Sequence, residues 1–263
     1  MGPAAAFGGP RLRHERDEAA VNVSVIVITR NRPQFLPRAL ASLAAQTYHD
    51  FETVVVNDAG SYVGAIVRAS GLPANVVVRD ECGGCPGARN SGLRAARGDW
   101  ITYLDDDDIA YPHHLATLVE AQQRTGAKVV YSDSVLVIEE ERDGQWVTLS
   151  SRPFYGYEFD RGRLMVDNIT PANNVMHTRE SIERVGLFDE GLKFLDDWDM
   201  MIRLAHYWDF AHVPRVTAEY RQRTTREGVT VDTANLHGHY YAYVQAKLAV
   251  MRTLPGNPWP ALP

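Results

Sequence analysis

An α/β fold, a central sheet flanked by helices, is what this sequence predicts, and three observations carry it. Four short apolar, β-branched runs, VSVIVIT (23–29), FETVVV (51–56), NVVV (75–78) and WITYL (100–104), read as strands buried on both faces. Segments with helical spacing or helix-start signals lie between them, and strand–helix alternation with buried strands is the pattern of a parallel sheet. The fourth run ends abruptly in Asp105–Asp108, at the carboxyl end of a strand, where open α/β sheets bind their ligands.

Each element has its own signal. After the first strand, Phe35, Leu36, Leu40 and Leu43 recur at helical spacing. The second strand stops at NDAGS, and a weak helix over about 62–70 leads through Gly71 and Pro73 to the third strand. A Gly-rich loop, CGGCPG, opens a helix over about 86–97, with Pro86 suited to its first turn and Gly98 to its end. Pro112 starts a helix that ends near Gly126. KVVYSDSVLVI and GQWVTLS read as paired strands joined across an acidic turn that contains Asp143-Gly144. DDWDMMIRLAHY (196–207) is a clear helix, AHVPRVTAEYR is extended, and a helical tail runs over about 232–252. The expected division is a disordered leader (1–21), an α/β first half (22–110), a mixed second half of the same domain (111–225) and a C-terminal helical tail (226–263).

Bulk properties narrow the function. The chain has 263 residues, 45% hydrophobic and 23% charged, an ordinary globular composition that can bury a sizeable core without disulfides. A net charge of −6 argues against nucleic acid as a partner. The leader has no apolar run fit for a signal peptide, and no segment approaches the roughly 20 apolar residues of a membrane helix. The expected place is the cytoplasm, with peripheral contact at a membrane left open. Nothing in the sequence bears on assembly, so a homo-oligomer stays open as well.

Four adjacent carboxylates repel one another, and one physical reason to crowd them is a divalent cation. Hard oxygen ligands suit Mg²⁺ or Mn²⁺, which commonly take one or two carboxylates plus substrate phosphates. The bland alternative is a solvated acidic turn, with Asp108 near the helix that Pro112 opens.

Three blocks then resemble family 2 glycosyltransferases: VSVIVITRNRPQFLPRALASLAAQTYHDFETVVVNDAGS, GARNSGLRAARGDWITYLDDDDIAYPHHL and NNVMHTRESIERVGLFDEGLKFLDDWDMMIRLA. The match spans about 22–221, in the family's order and spacing. The resemblance implies a GT-A fold, Rossmann-like with a mixed sheet, and a nucleotide-sugar donor. It also implies inverting transfer of the hexosyltransferase type. Matched to the family's DXD-type acidic motif, Asp107 is the metal ligand, while Asp105 or Asp106 faces the ribose and phosphates and Asp108 belongs to the turn as a helix-start residue. Ile28, Thr29 and Arg30 would line the base and ribose. Asp58 would hydrogen-bond the base, unless it is a turn residue only. Arg89 and Asn90, at a helix start, would approach the donor, unless Arg89 is a surface cation. UDP is the commonest nucleotide of the resembled family, and its acceptors include glycans, lipids, proteins and small metabolites.

The second acidic cluster sits at the start of the 196–207 helix, where acids are favourable near the positive end of the dipole. The family pattern is Glu-Asp-Trp-Asp, which makes Asp197 the general base, with Asp196 in place of the usual Glu. Asp196 would bear on acceptor contacts. Trp198 either packs the helix into the core, the preferred reading, or offers a ring face to an acceptor sugar, and Arg203 and Leu204 brace the helix.

Other features carry less. Cys82 and Cys85 lack the second pair of ligands a zinc site needs, so their role is structural, with a disulfide on oxidation left open. His113 and His114 fall at a helix start and are expected to be exposed. Many relatives carry a His after a Tyr-Arg pair; here EYRQRTTREG places Arg223 there, which leaves the third metal ligand unassigned, with His237 and His239 as weak substitutes. Arg221, Arg223 and Arg226 are alternatives for meeting phosphate. A nucleotidyltransferase or a dinucleotide-binding oxidoreductase would need glycines after the first strand, and ITRNRPQ has none. A catalytically inactive nucleotide-sugar or glycan-binding domain would have little use for a base at Asp197.

Overall fold

The computed structural model describes residues 23–154, 156–224, 234–253 and 256; the leader expected over 1–21, Arg226, and the side chains of His237 and His239 lie outside the described residues. The first half alternates as the sequence predicts: β1 (Val23–Thr29), α1 (Leu36–Ala44), β2 (Phe51–Asp58), α2 (Gly64–Ala69), β3 (Ala74–Arg79), α3 (Gly84–Ala95) and β4 (Trp100–Asp105). The two-residue β5 (Ile109–Ala110) and α4 (His114–Thr125) follow. The second half holds β6 (Val129–Arg142), β7 (Gln145–Phe154), α5 (Arg161–Leu164), β8 (Val175–Thr178), α6 (Arg179–Val185), α7 (Asp196–Ala205), β9 (Ala211–Arg223) and α8 (Ala234–Met251).

Among the described residues nine strands join one mixed sheet in the order β3-β2-β1-β4-β8-β6-β9-β5, with β7 paired to β6. β1 pairs in parallel with both β2 and β4, so the strand order reverses beside β1. In open α/β sheets such a reversal puts the ligand crevice at the carboxyl ends of the strands beside it, here β1 and β4. Register places Ile28 beside Asp105, and Thr29 beside Asn57. Past β4 the sheet turns antiparallel through β8.

Alternation along β1 explains burial on both faces. Val23, Val25 and Val27 join α1 and α4 in one core, through Leu36, Leu40 and Leu115. Ile26 and Ile28 join α3 and α7 in the other, through Leu93, Trp198 and Ile202. Truncating a leucine such as Leu40, which is fully buried, costs roughly 2–5 kcal/mol. Gly92 lets α3 lie close on β1: a Cβ there would stand 2.3 Å from Ile26 Cγ2.

The Asp143-Gly144 turn is as read, both residues having positive φ (52° and 78°), the backbone of a type I′ hairpin between β6 and β7. Two boundaries differ. α3 ends at Ala95 rather than at Gly98, because Arg97 and Gly98 N–H turn to Ser24 Oγ. α4 starts at His114, two residues after Pro112, and stops at Gly126 with φ of 68°, a left-handed C-cap.

Candidate active site

The four aspartates after β4 do not share one environment, which relieves the repulsion between them. Asp105 lies at the strand end and receives Arg89 Nη2 at 3.0 Å. Asp106 turns inward, with no exposed surface, accepting from Thr29 Oγ1 at 2.6 Å and pairing with Arg32 at 2.5 Å. Burial pushes the Asp106 acid up to about 7, with Arg32 opposing and Asp107 adding to the rise. Asp107 Oδ2 receives Arg32 and Arg223, each at 2.7 Å. Asp108 is buried and accepts from Asn173 Nδ2 at 2.8 Å and from the Arg221 backbone N–H at 2.8 Å. It is therefore structural, but not as a helix-start residue, because α4 begins six positions later. It fastens the β4 turn to β9 and to the 3₁₀ turn at Ala172–Asn174.

Arg89 joins the two acidic clusters. Expected near the donor or at the surface, it is buried in α3, 5% exposed. Its Nη1 donates to Asp196 Oδ2 at 2.6 Å while Nη2 reaches Asp105. The planar guanidinium fork suits two carboxylates at once. Arg89 thus holds the carboxyl end of β4 against the first turn of α7.

That turn orients Asp197. Leu195, just before α7, has φ of 61°, a left-handed conformation costly for leucine. Asn31 (54°) and Ala59 (55°), after β1 and β2, share it; of the four such non-glycine residues described, only Asp143 lies in the hairpin. Asp197 is half-buried, and its Oδ2 accepts from Asn168 Nδ2 at 3.2 Å. Burial and the neighbouring Asp196 charge push its acid up to about 6, against the pull of Arg89. Asp199 is occupied otherwise, by Arg203 Nε and Lys247 Nζ, each at 2.9 Å. Trp198 is 1% exposed and donates its indole N–H to Leu164 O at 2.8 Å, so it packs the core.

The remaining predicted residues fall around this crevice. Ile28 and Thr29 are buried at the end of β1 and Arg30 is exposed. Asp58 is buried, accepting from Gly83 N–H and Gly84 N–H, each at 2.9 Å, and pairing with Arg79 at 2.7 Å. The CGGC loop is therefore folded around Asp58, and exposed Cys82 donates to the same carboxylate at 3.3 Å. Asn90 is turned to the loop before α7, bonded to Phe188 and Glu190.

Sequence reasoning missed Arg32, Asn168, Asn173 and Glu139. Glu139 is 1% exposed and meets Arg38, Arg221 and Arg223. In the sequence it is one of three consecutive glutamates, and only its inward place on β6 distinguishes it. Arg223 is held between rings, 3.7 Å from the Phe35 centroid and 5.3 Å from that of Trp146. The expectation that His113 and His114 are exposed is corrected for His114, which is 2% exposed with Nδ1 2.7 Å from Thr217 Oγ1. β9 runs beside the first turn of α4 and covers it; burial lowers this imidazole to about 3. His113 is half-buried.

A divalent cation fits part of this donor set. Asp105 and Asp107 keep side-chain exposure of 30% and 15%, whereas Asp106 and Asp108 are buried. One or two carboxylates suffice for Mg²⁺ or Mn²⁺ when substrate phosphates and water complete the shell. Among the described residues no group of three or more His, Cys, Asp or Glu side chains gathers to hold a metal by itself. Arg32 and Arg223 already balance Asp107, so a cation would need the charge of a phosphate ligand to settle beside it.

Comparison with known proteins agrees with this layout. The family model described as glycosyl transferase family 2 matches residues 24–186. The uncharacterized glycosyltransferase YwdF of Bacillus subtilis is 31% identical over 201 residues, 76% of this chain and 74% of the relative. An uncharacterized glycosyltransferase of Haemophilus influenzae is 25% identical over 219 residues, 81% of this chain and 72% of the relative. Among solved structures, S. aureus TarS 1-349 in complex with UDP-GlcNAc superposes with a TM-score of 0.71 at 20% identity, covering 89% of this chain and 67% of that one. TarS 1-349 in complex with UDP gives 0.67 at 18% identity, covering 89% of this chain and 67% of that one. At such identities the likeness is one of fold. Among the described residues no helix is long and apolar enough to cross a membrane.

Proposed function

The chain belongs to glycosyl transferase family 2 and is a glycosyltransferase, and from that premise we propose that it moves a sugar from a UDP-linked donor to an acceptor hydroxyl by direct displacement, with inversion. The observation that carries the proposal is Arg89, which ties Asp105 at the donor end of β4 to Asp196, next to Asp197. The likeness to TarS, solved with UDP-GlcNAc, supports a uridine nucleotide as donor.

In this reading the crevice between the ends of β1 and β4 receives the nucleotide. Asp105 and Asp107 would hold Mn²⁺ or Mg²⁺, whose chemistry is to offset charge growing on the diphosphate. Arg32 and Arg223, now on Asp107, add positive charge beside the same phosphates. Asp197, oriented by Asn168, accepts the proton of the attacking hydroxyl. An acid near 6 is ionised at neutral pH yet basic enough to take that proton. The buried links from Asp108 to β9 and from Arg89 to α7 keep both ends in fixed relation, so the reactants meet in line.

Calorimetry with UDP, with and without Mn²⁺, tests the donor side. Binding should appear with both together and weaken strongly with chelator, and Mn²⁺ alone should bind poorly. Asp197→Asn should keep UDP binding and lose transfer, and unchanged transfer would sink the assignment of the base. Absence of binding by any nucleoside diphosphate would sink the donor reading.

A further inference from the structure

Glu139 is a buried carboxylate that the donor reading leaves without a task. It lies late in β6, opposite Arg223 in the parallel pairing with β9. Three guanidiniums converge on it. Arg38 Nη2, from α1, stands 3.3 Å from Oε1, and Arg221 Nη1 bonds the same oxygen. Arg223 Nη2 stands 3.9 Å from Oε2. The backbone N–H of Thr224 donates to Glu139 O at 3.0 Å, so the end of β9 is fastened to this residue. The backbone N–H of Arg221 is fastened in turn to Asp108, which brings the same end of β9 beside the acidic turn.

Arg223 is shared between the two. Its Nη1 donates to Asp107 Oδ2 at 2.7 Å while Nη2 leans toward Glu139, so one guanidinium fork spans two carboxylates. The Phe35 and Trp146 rings confine the head to this short path. Among the described residues Glu139 Oε2 and Arg223 Nε have no hydrogen-bond partner. An acceptor therefore stands ready on the Glu139 side, and the fork has not closed on it. A buried ion pair is weak evidence of stability. A buried carboxylate with a spare oxygen, next to an arginine seated on the candidate cation ligand, points to exchange. While Arg223 sits on Oδ2, it competes with a cation for Asp107. Drawn toward Glu139, it leaves that oxygen open and still has donors for phosphate.

We propose that Glu139 is a positioning residue of the donor site: it draws Arg223 off Asp107, so that Asp107 takes the divalent cation and Arg223 meets the diphosphate. The inference rests on the donor reading above and adds an exchange to it, in which Arg223 yields as cation and nucleotide arrive together. Arg32 supplies the internal comparison. It also holds Asp107 Oδ2, at 2.7 Å, but its second partner is Asp106 and not Glu139.

The test measures Mn²⁺ binding to the full chain, from the loss of the free-ion EPR signal, at UDP concentrations saturating for each variant. Glu139→Gln keeps the shape and removes the charge, and should raise the Mn²⁺ midpoint about tenfold. In an Arg223→Met background the same change should move the midpoint less than about twofold, because no guanidinium is left to draw off. In an Arg32→Met background the rise should persist. A general loss of negative charge, or a loosened fold, would act in both backgrounds alike. A midpoint for Glu139→Gln within about twofold of wild type overturns the proposal, as does an equal rise in the two backgrounds. Absence of Mn²⁺-dependent UDP binding by wild type overturns the donor reading instead. If Glu139→Gln fails to fold, Glu139→Asp, whose shorter arm withdraws the carboxylate from Arg223, carries the comparison.

Discussion

Replacing Arg89 by methionine removes the cation shared by Asp105 and Asp196 while keeping most of the apolar stem. The cost follows from burial. Arg89 and Asp196 have 6% and 7% side-chain exposure, so their pair is interior; Asp105, at 30%, stays partly hydrated. Deleting one partner of a buried pair costs about 3–5 kcal/mol, because the other charge is left unpaired. The Asp105 arm adds no more than about 1 kcal/mol. For a domain of this size each kcal/mol moves Tm by about 2–4 °C, so the variant should melt about 6–20 °C lower. Asp196→Asn alone leaves the guanidinium with Asp105 and should cost less. The double variant Arg89→Met/Asp196→Asn buries no unpaired charge, and its loss should fall short of the sum by about 2–3 kcal/mol. Urea unfolding of the four proteins at pH 7 closes the cycle. A single variant within about 2 °C of wild type, or energies that add within about 0.5 kcal/mol, would refute the reasoning.

The base sets an acid limb: with Asp197 near 6, transfer should fall as pH drops through about 6. Asp196→Asn removes a neighbouring negative charge and should move the limb down, read from kcat/KM against pH. The stability sign is opposite: the folded state keeps a proton on Asp197 between the ordinary carboxylate range and 6, so this group's stabilisation is greatest in acid and declines as pH rises through that window. His114 acts the other way. Its imidazole, lowered to about 3, stays neutral when folded, so protonation of the unfolded chain below about 6.5 erodes stability. His114→Asn should shrink the difference in unfolding free energy between pH 7 and pH 5 by about 2 kcal/mol, measured by urea titration. Gly92→Ala should cost about 1–3 kcal/mol, since its Cβ would meet Ile26 Cγ2 of β1, and a smaller loss would mean that α3 can shift outward.

Strand identity was legible because buried parallel strands are continuous apolar runs, and β1, β2 and β4 match theirs closely. Helix ends were less so, since α3 stops where Ser24 takes the next N–H groups, a contact 73 positions away in sequence. The acidic clusters were visible as residues but not as partners. Nothing local says that Arg89 reaches Asp196, 107 positions on, or that Asp108 serves β9 instead of a helix start. His114 was misjudged for the same reason, because the strand that covers it is written a hundred residues later. Arg32 and Glu139 carry no signature apart from the fold that surrounds them with opposite charge.

The sheet order also has a consequence during synthesis. β4, buried on both faces, takes its second neighbour from β8, at Val175–Thr178, and β5 takes its partner from β9. When the ribosome has released only the first four strands, the free edge of β4 is an apolar template with no strand yet made to cover it. A nascent chain cut near residue 126 should therefore collect in aggregates, and protection of that edge should arise only after about residue 178 has emerged.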